Sequence, residues 1–329
     1  MRFPARRARC YLVARMKIRT VLDYAKMMED QTRMRAYARA IAEVCPGRTV
    51  CEVGVGLGPL SLMALRAGAA KVYGVEADGE ALALAARVME ANGFDGARFV
   101  PVHGLSTRVT LPERVDVLLS ETLDSMGLGE NTAHFMADAR RLLAPGGVFL
   151  PARLDCHVAL ASPAAYRARM RLWDEVLPGE FGLDYGPVAK TLRTAQHTLP
   201  VRADELLSGW ERWQRVDFAD PSSFLAVSPV LFVPTGEGEV LGLACSFDAT
   251  LAPGVGLRTR PDDPPTHWQQ AFHAFPEPVR LRRGDVVYAE LVCAVEDVGS
   301  LRFEMRVASG ALRDVEAVVR QRAAGGSLR

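Results

Sequence analysis

The order of apolar and polar positions divides the chain at Pro151. Before it, short apolar runs over residues 49–53, 71–75, 98–102, 115–119 and 148–150 alternate with helical stretches, among them 80–91 and 132–143. Near-continuous apolar strands interleaved with helices predict an α/β unit with a doubly wound, mostly parallel sheet. Ahead of it, residues 21–45 hold no glycine or proline and stop at Pro46-Gly47, which predicts one long helix. After Pro151 the period changes to two, over 154–161, 240–249, 286–295 and 301–307, and predicts a β-rich second domain. A mixed segment between about Trp173 and Trp213, punctuated by Pro178, Gly179, Gly182, Gly186 and Pro187, is too long for a plain loop and reads as a protruding arm.

The first strand runs into Gly54-Val55-Gly56-Leu57-Gly58 and then a helix, the layout of a nucleotide site. Glycines let the backbone approach a ligand and expose amides at a helix N-terminus. The second strand ends at Glu76, 18 residues after Gly58, where a carboxylate can accept both hydroxyls of a ribose. By itself this pattern serves a dinucleotide or S-adenosylmethionine. The short glycine loop and the single nucleotide half favour the latter.

The stretch Glu121 to Glu130, reading ETLDSMGLGE, follows the apolar run 115–119. Two acids nine residues apart fall on opposite faces of a helix, since nine steps of about 100° make two and a half turns, and on opposite faces of a strand. Only a loop that returns on itself brings them together, and Gly127 and Gly129 permit one. Converging carboxylates repel unless a cation lies between them, and a planar guanidinium with five donors is the best-matched cation. On the long helix, Met27, Asp30 and Met34 share a stripe and Arg33 neighbours Asp30, either as a surface ion pair or as part of a site. In the second half the run Thr266-His267-Trp268 stands out, although a lone histidine is most often structural.

Composition narrows the field. Formal net charge is +1, which leaves no global field for nucleic acid or a membrane surface. Six scattered cysteines form no CxxC pair, which argues against a metal site and a disulfide framework and places the chain in reduced cytoplasm. No apolar run has the length of a transmembrane helix, and the arginine-rich N-terminus lacks the apolar core of a signal peptide, so it is expected to be a solvated tail. Thirty-six arginines against four lysines point to a GC-rich, bacterial genome.

Together these stretches resemble the protein arginine methyltransferases from Tyr24 to the end of the β-rich domain. The resemblance rests on YAKMMEDQTRMRAY, EVGVGLGPLSLMALRAGAAKVYGVE, SETLDSMGLGE, LLAPGGVFLP and THWQQ, in the family's order and spacing. It implies a Rossmann-like S-adenosylmethionine domain with an N-terminal helix (21–150) and a β-barrel substrate domain (151–329) with a helical dimerisation arm around 176–213, hence a homodimer; the early arginines, ahead of the matched stretches, make residues 1–20 a basic N-terminal arm. Residue by residue, it implies that Arg33 pairs with the cofactor carboxylate, that Gly54, Gly56 and Gly58 surround the methionine part, and that Glu76 binds the ribose. Tyr24, Met27, Ser106 and Thr107 complete the cofactor site, and Glu121 borders it. Glu121 and Glu130 match the pair that grips the acceptor guanidinium, with Asp30 and His267 meeting beside it; Asp124, Ser125 and Trp268 are the remaining acceptor-side candidates.

The sequence also departs from the family. Tyr24 stands where many members carry histidine, and Thr107 where many carry an acid against adenine. Thr122 to Ser125 replace the aromatic and methionine residues of the dimethylating branch, and E-x-x-D looks like the monomethylating branch. The expected activity is omega-N-methylation of arginine, a single transfer, with free L-arginine or a small arginine-containing molecule as acceptor. Peptide or protein arginine is the alternative, and an NAD-dependent oxidoreductase a distant one.

Overall fold

The computed structural model describes residues 8–13, 21–129, 132–224, 226–297 and 300–317. The first strand, β1 (Ala8–Val13), is followed by two helices, α1 (Val21–Glu29) and α2 (Gln31–Val44). The single helix expected over 21–45 is thus broken at Asp30. Its backbone leaves the helical region (φ −69°, ψ 88°) and its carboxylate accepts the N–H of Arg33, so Asp30 is the N-cap of α2.

The parallel sheet comprises β2 (Thr49–Val53), β3 (Lys71–Glu76), β4 (Phe99–His103), β5 (Val115–Ser120) and β6 (Leu143–Leu150), in the order β4-β3-β2-β5-β6. Three helices connect them: α3 (Pro59–Arg66), α4 (Gly79–Ala91) and α5 (Thr132–Ala139). α5 ends earlier than its sequence pattern, because residues Arg140–Leu142 tighten into a 3-10 turn and β6 begins at Leu143. Val50, Val72, Val117, Leu118 and Leu119 are fully buried, which is why these strands read as unbroken apolar runs. The strand order reverses between β2 and β5, so the loops after these two strands face one crevice.

The second half opens with β7 (Arg153–Ala161) and leaves the sheet for a helical excursion. This contains α6 (Ala164–Arg171), a π-helical turn over Leu172–Val176, α7 (Leu177–Phe181) and α8 (Gly186–Arg193). The chain then returns as β8 (Gln196–Leu199) and β9 (Glu211–Asp217), followed by β10 (Ala226–Phe232), β11 (Gly238–Ala252), β12 (Val255–Arg258), β13 (Gln270–Leu281), β14 (Asp285–Asp297) and β15 (Ser300–Ala311). Two antiparallel sheets result, β8-β13-β11-β7-β9 with β12 beside β11, and β1-β15-β14-β10, enclosing a barrel-like core that includes Trp213, Phe247 and Phe303.

Two expectations change. The helical excursion begins at Ala164 and ends by Arg193, not over 176–213, because the four-residue strand β8, too short to show a period, already pairs with β13. The N-terminal tail is in part a strand: Ala8 to Val13 pair with Met305 to Ser300 and cover an otherwise free edge of β15.

Candidate active site

At the carboxyl end of β2 three glycines adopt left-handed backbone, with φ of 78° at Gly54, 55° at Gly56 and 82° at Gly58. The loop is pinned from below: Gly54 and Val55 donate to Val75 O at 2.9 and 3.3 Å. It is pinned from the side by Glu76 at the end of β3, whose Oε2 accepts Gly56 N–H and whose Oε1 accepts Asp78 N–H, both at 2.9 Å. A Cβ on Gly56 would lie 2.5 Å from the Tyr24 ring, and one on Gly54 would lie 3.0 Å from Thr122 Cγ2. So α1 and the glutamate loop both close on the glycine loop at positions where only a hydrogen leaves room. Ser106 is buried, and its carbonyl accepts from Arg141 Nη2 at 2.7 Å; Thr107 beside it is half-buried.

Glu121 follows β5, and its Oε2 accepts Nη1 of Arg33 from the first turn of α2. Both side chains are buried, 7 % and 4 % exposed. Tyr37, one turn along α2, donates to Ser120 O at 3.3 Å and fastens the helix to the end of β5. Asp30 caps the helix through Oδ1, while Oδ2 accepts both His267 N–H at 2.8 Å and the imidazole Nδ1 at 2.9 Å. That leaves Nδ1 carrying the proton and Nε2 unprotonated in the neutral ring. Burial alone would raise the Asp30 pKa, but the hydrogen bonds from His267 and from the Arg33 amide outweigh it, and the carboxyl is held below its ordinary value.

Trp268 is buried against Phe247 (ring centroids 5.3 Å apart) and beside His267 (4.5 Å), and its Nε1–H donates to Leu123 O at 2.8 Å. The loop from the second domain therefore sits on the glutamate loop. Gln269, just after it, is the one non-glycine among the described residues with positive φ (51°), the mark of the sharp entry into β13. Gly127 lies on Phe247, where a Cβ would come to 3.2 Å of the ring.

The structure thus brings Asp30, Arg33, Glu121, His267 and Trp268 together beside the glycine loop, Glu76 and Tyr24. Met27 is half-buried on α1. Glu130 lies outside the described residues. Asp124 and Ser125 are engaged within the protein: Asp124 Oδ1 accepts Met126 and Gly129 N–H at 3.0 and 2.8 Å, its Oδ2 accepts Gln196 Nε2 at 3.0 Å, and Ser125 Oγ meets Thr198 Oγ1 at 2.9 Å. Sequence alone did not single out Glu52. Mid-strand in β2 and fully buried, it accepts a hydrogen bond from Ser61 Oγ. Burial pushes its pKa up to about 8, with Ser61 and Arg33 working against the rise and Glu76 adding to it. An acid inside the apolar run TVCEV was the available signal.

Left-handed glycines that leave no side chain over the helix N-terminus, a carboxylate at the end of the next strand and a buried guanidinium at the crevice fit the nucleoside, the amino-acid tail and the carboxylate of S-adenosylmethionine. This is the architecture of an S-adenosylmethionine-dependent methyltransferase. The comparisons agree. Residues 50–147 match the family described as Methyltransferase domain, and residues 152–306 the Arginine methyltransferase oligomerization subdomain. "Arginine N(omega)-methyltransferase" of Streptomyces achromogenes subsp. streptozoticus is 30% identical over 276 residues, covering 80% of this chain and 74% of the relative. "Probable protein arginine N-methyltransferase 6.1" of Oryza sativa subsp. indica is 28% identical over 306 residues, covering 79% and 78%. Among solved structures, the Trypanosoma brucei PRMT1 enzyme-prozyme heterotetrameric complex with AdoHcy superposes with a TM-score of 0.77 at 24% identity, over 88% of this chain and 93% of that one. Arabidopsis thaliana protein arginine methyltransferase 10 gives 0.74 at 23%, over 89% and 94%. The chain belongs to the arginine N-methyltransferase family and uses S-adenosylmethionine.

Proposed function

We propose that this chain transfers one methyl group to the guanidinium of a small acceptor, free L-arginine or a small arginine-containing molecule, in bacterial specialised metabolism. The observation that carries the acceptor chemistry is Glu121, a buried carboxylate at the crevice that already holds one guanidinium, that of Arg33. The small acceptor is supported by the Streptomyces relative, named for arginine rather than protein arginine. Single transfer is supported by the E-x-x-D spacing of Glu121 and Asp124. Protein arginine is the second reading, favoured by the name of the rice relative.

When bound, S-adenosylmethionine supplies an electrophilic methyl group on a sulfonium. The protein's residues do the rest. Arg33 binds the cofactor carboxylate, the three glycines surround the methionine part and Glu76 accepts the ribose hydroxyls, with Tyr24, Met27, Ser106 and Thr107 around them. Glu121 and Glu130 hold two edges of the acceptor guanidinium, concentrate its charge on the held nitrogens and leave the third free to attack. His267 takes up the released proton at Nε2, with Asp30 orienting the ring and stabilising its charged form.

Phe181 (64 % exposed), Leu183 and Tyr185 are exposed apolar side chains where the helical excursion turns from α7 to α8. An apolar surface of this kind marks a contact, and we assign it to a homodimer. Cytoplasmic residence and the three-part division of the chain belong to the same reading.

The acceptor is identified by incubating the protein with methyl-labelled cofactor and, in parallel, L-arginine, arginine peptides and total protein, followed by mass spectrometry. A singly methylated free arginine is expected. Label confined to protein would establish the second reading, and a second methyl on the same arginine would overturn single transfer.

A further inference from the structure

The loop between the two acids is braced from outside its own domain. Asp124, in the middle of it, gathers the loop inward by accepting Met126 and Gly129 N–H on Oδ1. Gly129 lies so close that an added Cβ would stand 2.0 Å from Asp124 Oδ2, and the residue after it is Glu130. The other carboxylate oxygen is held by Gln196 Nε2 at 3.0 Å, and the adjacent Ser125 by Thr198 at 2.9 Å. Both partners sit on β8, two residues apart and therefore on one face of the strand.

The opposite face of β8 is tied to the helical excursion. His197 is buried, and its Nε2–H donates to Leu192 O of α8 at 2.8 Å. Its Nδ1 then accepts from Arg169 Nη1 of α6 at 3.0 Å, while Arg169 Nη2 donates to Thr198 O at 3.3 Å. Both ring nitrogens are matched only in the neutral ring, and burial lowers the imidazole pKa in that direction. So β8 is a rail fixed by two helices on one face and gripping the loop with the other.

We propose that Gln196 is a positioning residue for the acceptor: through Asp124 it sets the loop that carries Glu121 and Glu130, without touching the acceptor itself. The proposal rests on the reading of those two acids as the guanidinium grip. It assigns Asp124 to loop geometry instead of to acceptor binding. A loop whose centre is held by an inter-domain hydrogen bond moves when that bond is replaced by repulsion, and misplacement by about an ångström is costly to a positioned reaction.

The test is a charge-swap cycle read as acceptor KM, kcat and affinity for S-adenosylhomocysteine. Gln196→Glu sets a carboxylate against Asp124 and is expected to raise acceptor KM roughly tenfold, with cofactor affinity within about twofold of wild type. Adding Asp124→Asn supplies an amide donor to the new carboxylate while Oδ1 still accepts the two loop amides, and is expected to bring KM back to within about threefold. Gln196→Leu, which introduces no charge, gives the same direction of change if the glutamate variant does not fold. An unchanged KM in Gln196→Glu or Gln196→Leu, or a double variant no better than Gln196→Glu, overturns the proposal. If Glu121→Gln retains full turnover in the same assay, the grip itself has failed and not the brace.

Discussion

Arg33 and Glu121 form a buried ion pair that joins the first turn of α2 to the carboxyl end of β5. In the proposed chemistry each has another partner, the cofactor carboxylate for Arg33 and the acceptor guanidinium for Glu121. An acceptor arriving first must displace a guanidinium already bound. Cofactor and acceptor are therefore expected to bind cooperatively. By calorimetry, S-adenosylhomocysteine should tighten acceptor binding by about tenfold or more, and the acceptor should tighten cofactor binding by the same factor. Equal acceptor affinities with and without S-adenosylhomocysteine would remove this coupling.

Asp30 serves two elements, capping α2 and orienting His267. Asp30→Asn keeps an acceptor for the Arg33 amide but loses the charge that steadies a protonated imidazole. It should fold normally and lower kcat by roughly 10- to 100-fold. Asp30→Ala should in addition lose about 1 kcal/mol of stability with the cap. Because the Asp30 pKa is lowered in the folded state, its stabilisation is present above the ordinary carboxylate value and disappears as pH falls through the lowered one. A melting curve for Asp30→Ala that equals wild type at neutral pH would contradict the capping role.

Glu52 and His273 tilt stability in opposite directions. Glu52 has its pKa raised to about 8, so between its unfolded value of 4.5 and 8 the folded state holds the extra proton and stability falls as pH rises. His273, fully buried against Phe303, has its pKa lowered to about 3 by burial, so between 3 and 6.5 the unfolded state holds the extra proton and stability rises with pH. Glu52→Gln should match wild type near pH 4 and exceed it increasingly towards pH 8, when followed by denaturant unfolding across pH. Parallel curves for the two proteins would show that Glu52 is ionised in the fold.

Gly56→Ala combines a backbone at φ 55° with a Cβ 2.5 Å from the Tyr24 ring. It should weaken S-adenosylhomocysteine binding by about tenfold or more, through displacement of α1 from the glycine loop. Relief of the collision by Tyr24→Ala in the same chain should recover part of the loss.

The parallel sheet was legible because both faces of its strands are buried, and an apolar run such as 115–119 is long enough for a buried strand but too short for a buried helix. The glycine loop, Glu76 and Glu121 were legible because each follows a strand whose end places it. What escaped was local or long-range in origin. The break at Asp30 depends on one side chain accepting its own helix's amide, within a stretch of uniformly helix-forming residues. The Asp124–Gln196 contact joins residues 72 positions apart, and the second lies on a strand of four residues with no period to read. β1 has a strand pattern only with its partner β15 known.

The central claim is that Glu121 holds the arginine guanidinium that becomes methylated. Its most direct test is turnover by Glu121→Gln, measured beside its affinity for S-adenosylhomocysteine. The expected result is a kcat/KM for the acceptor lowered by about 100- to 10,000-fold, with cofactor affinity not weakened by more than about threefold. Turnover at the wild-type rate would contradict the claim.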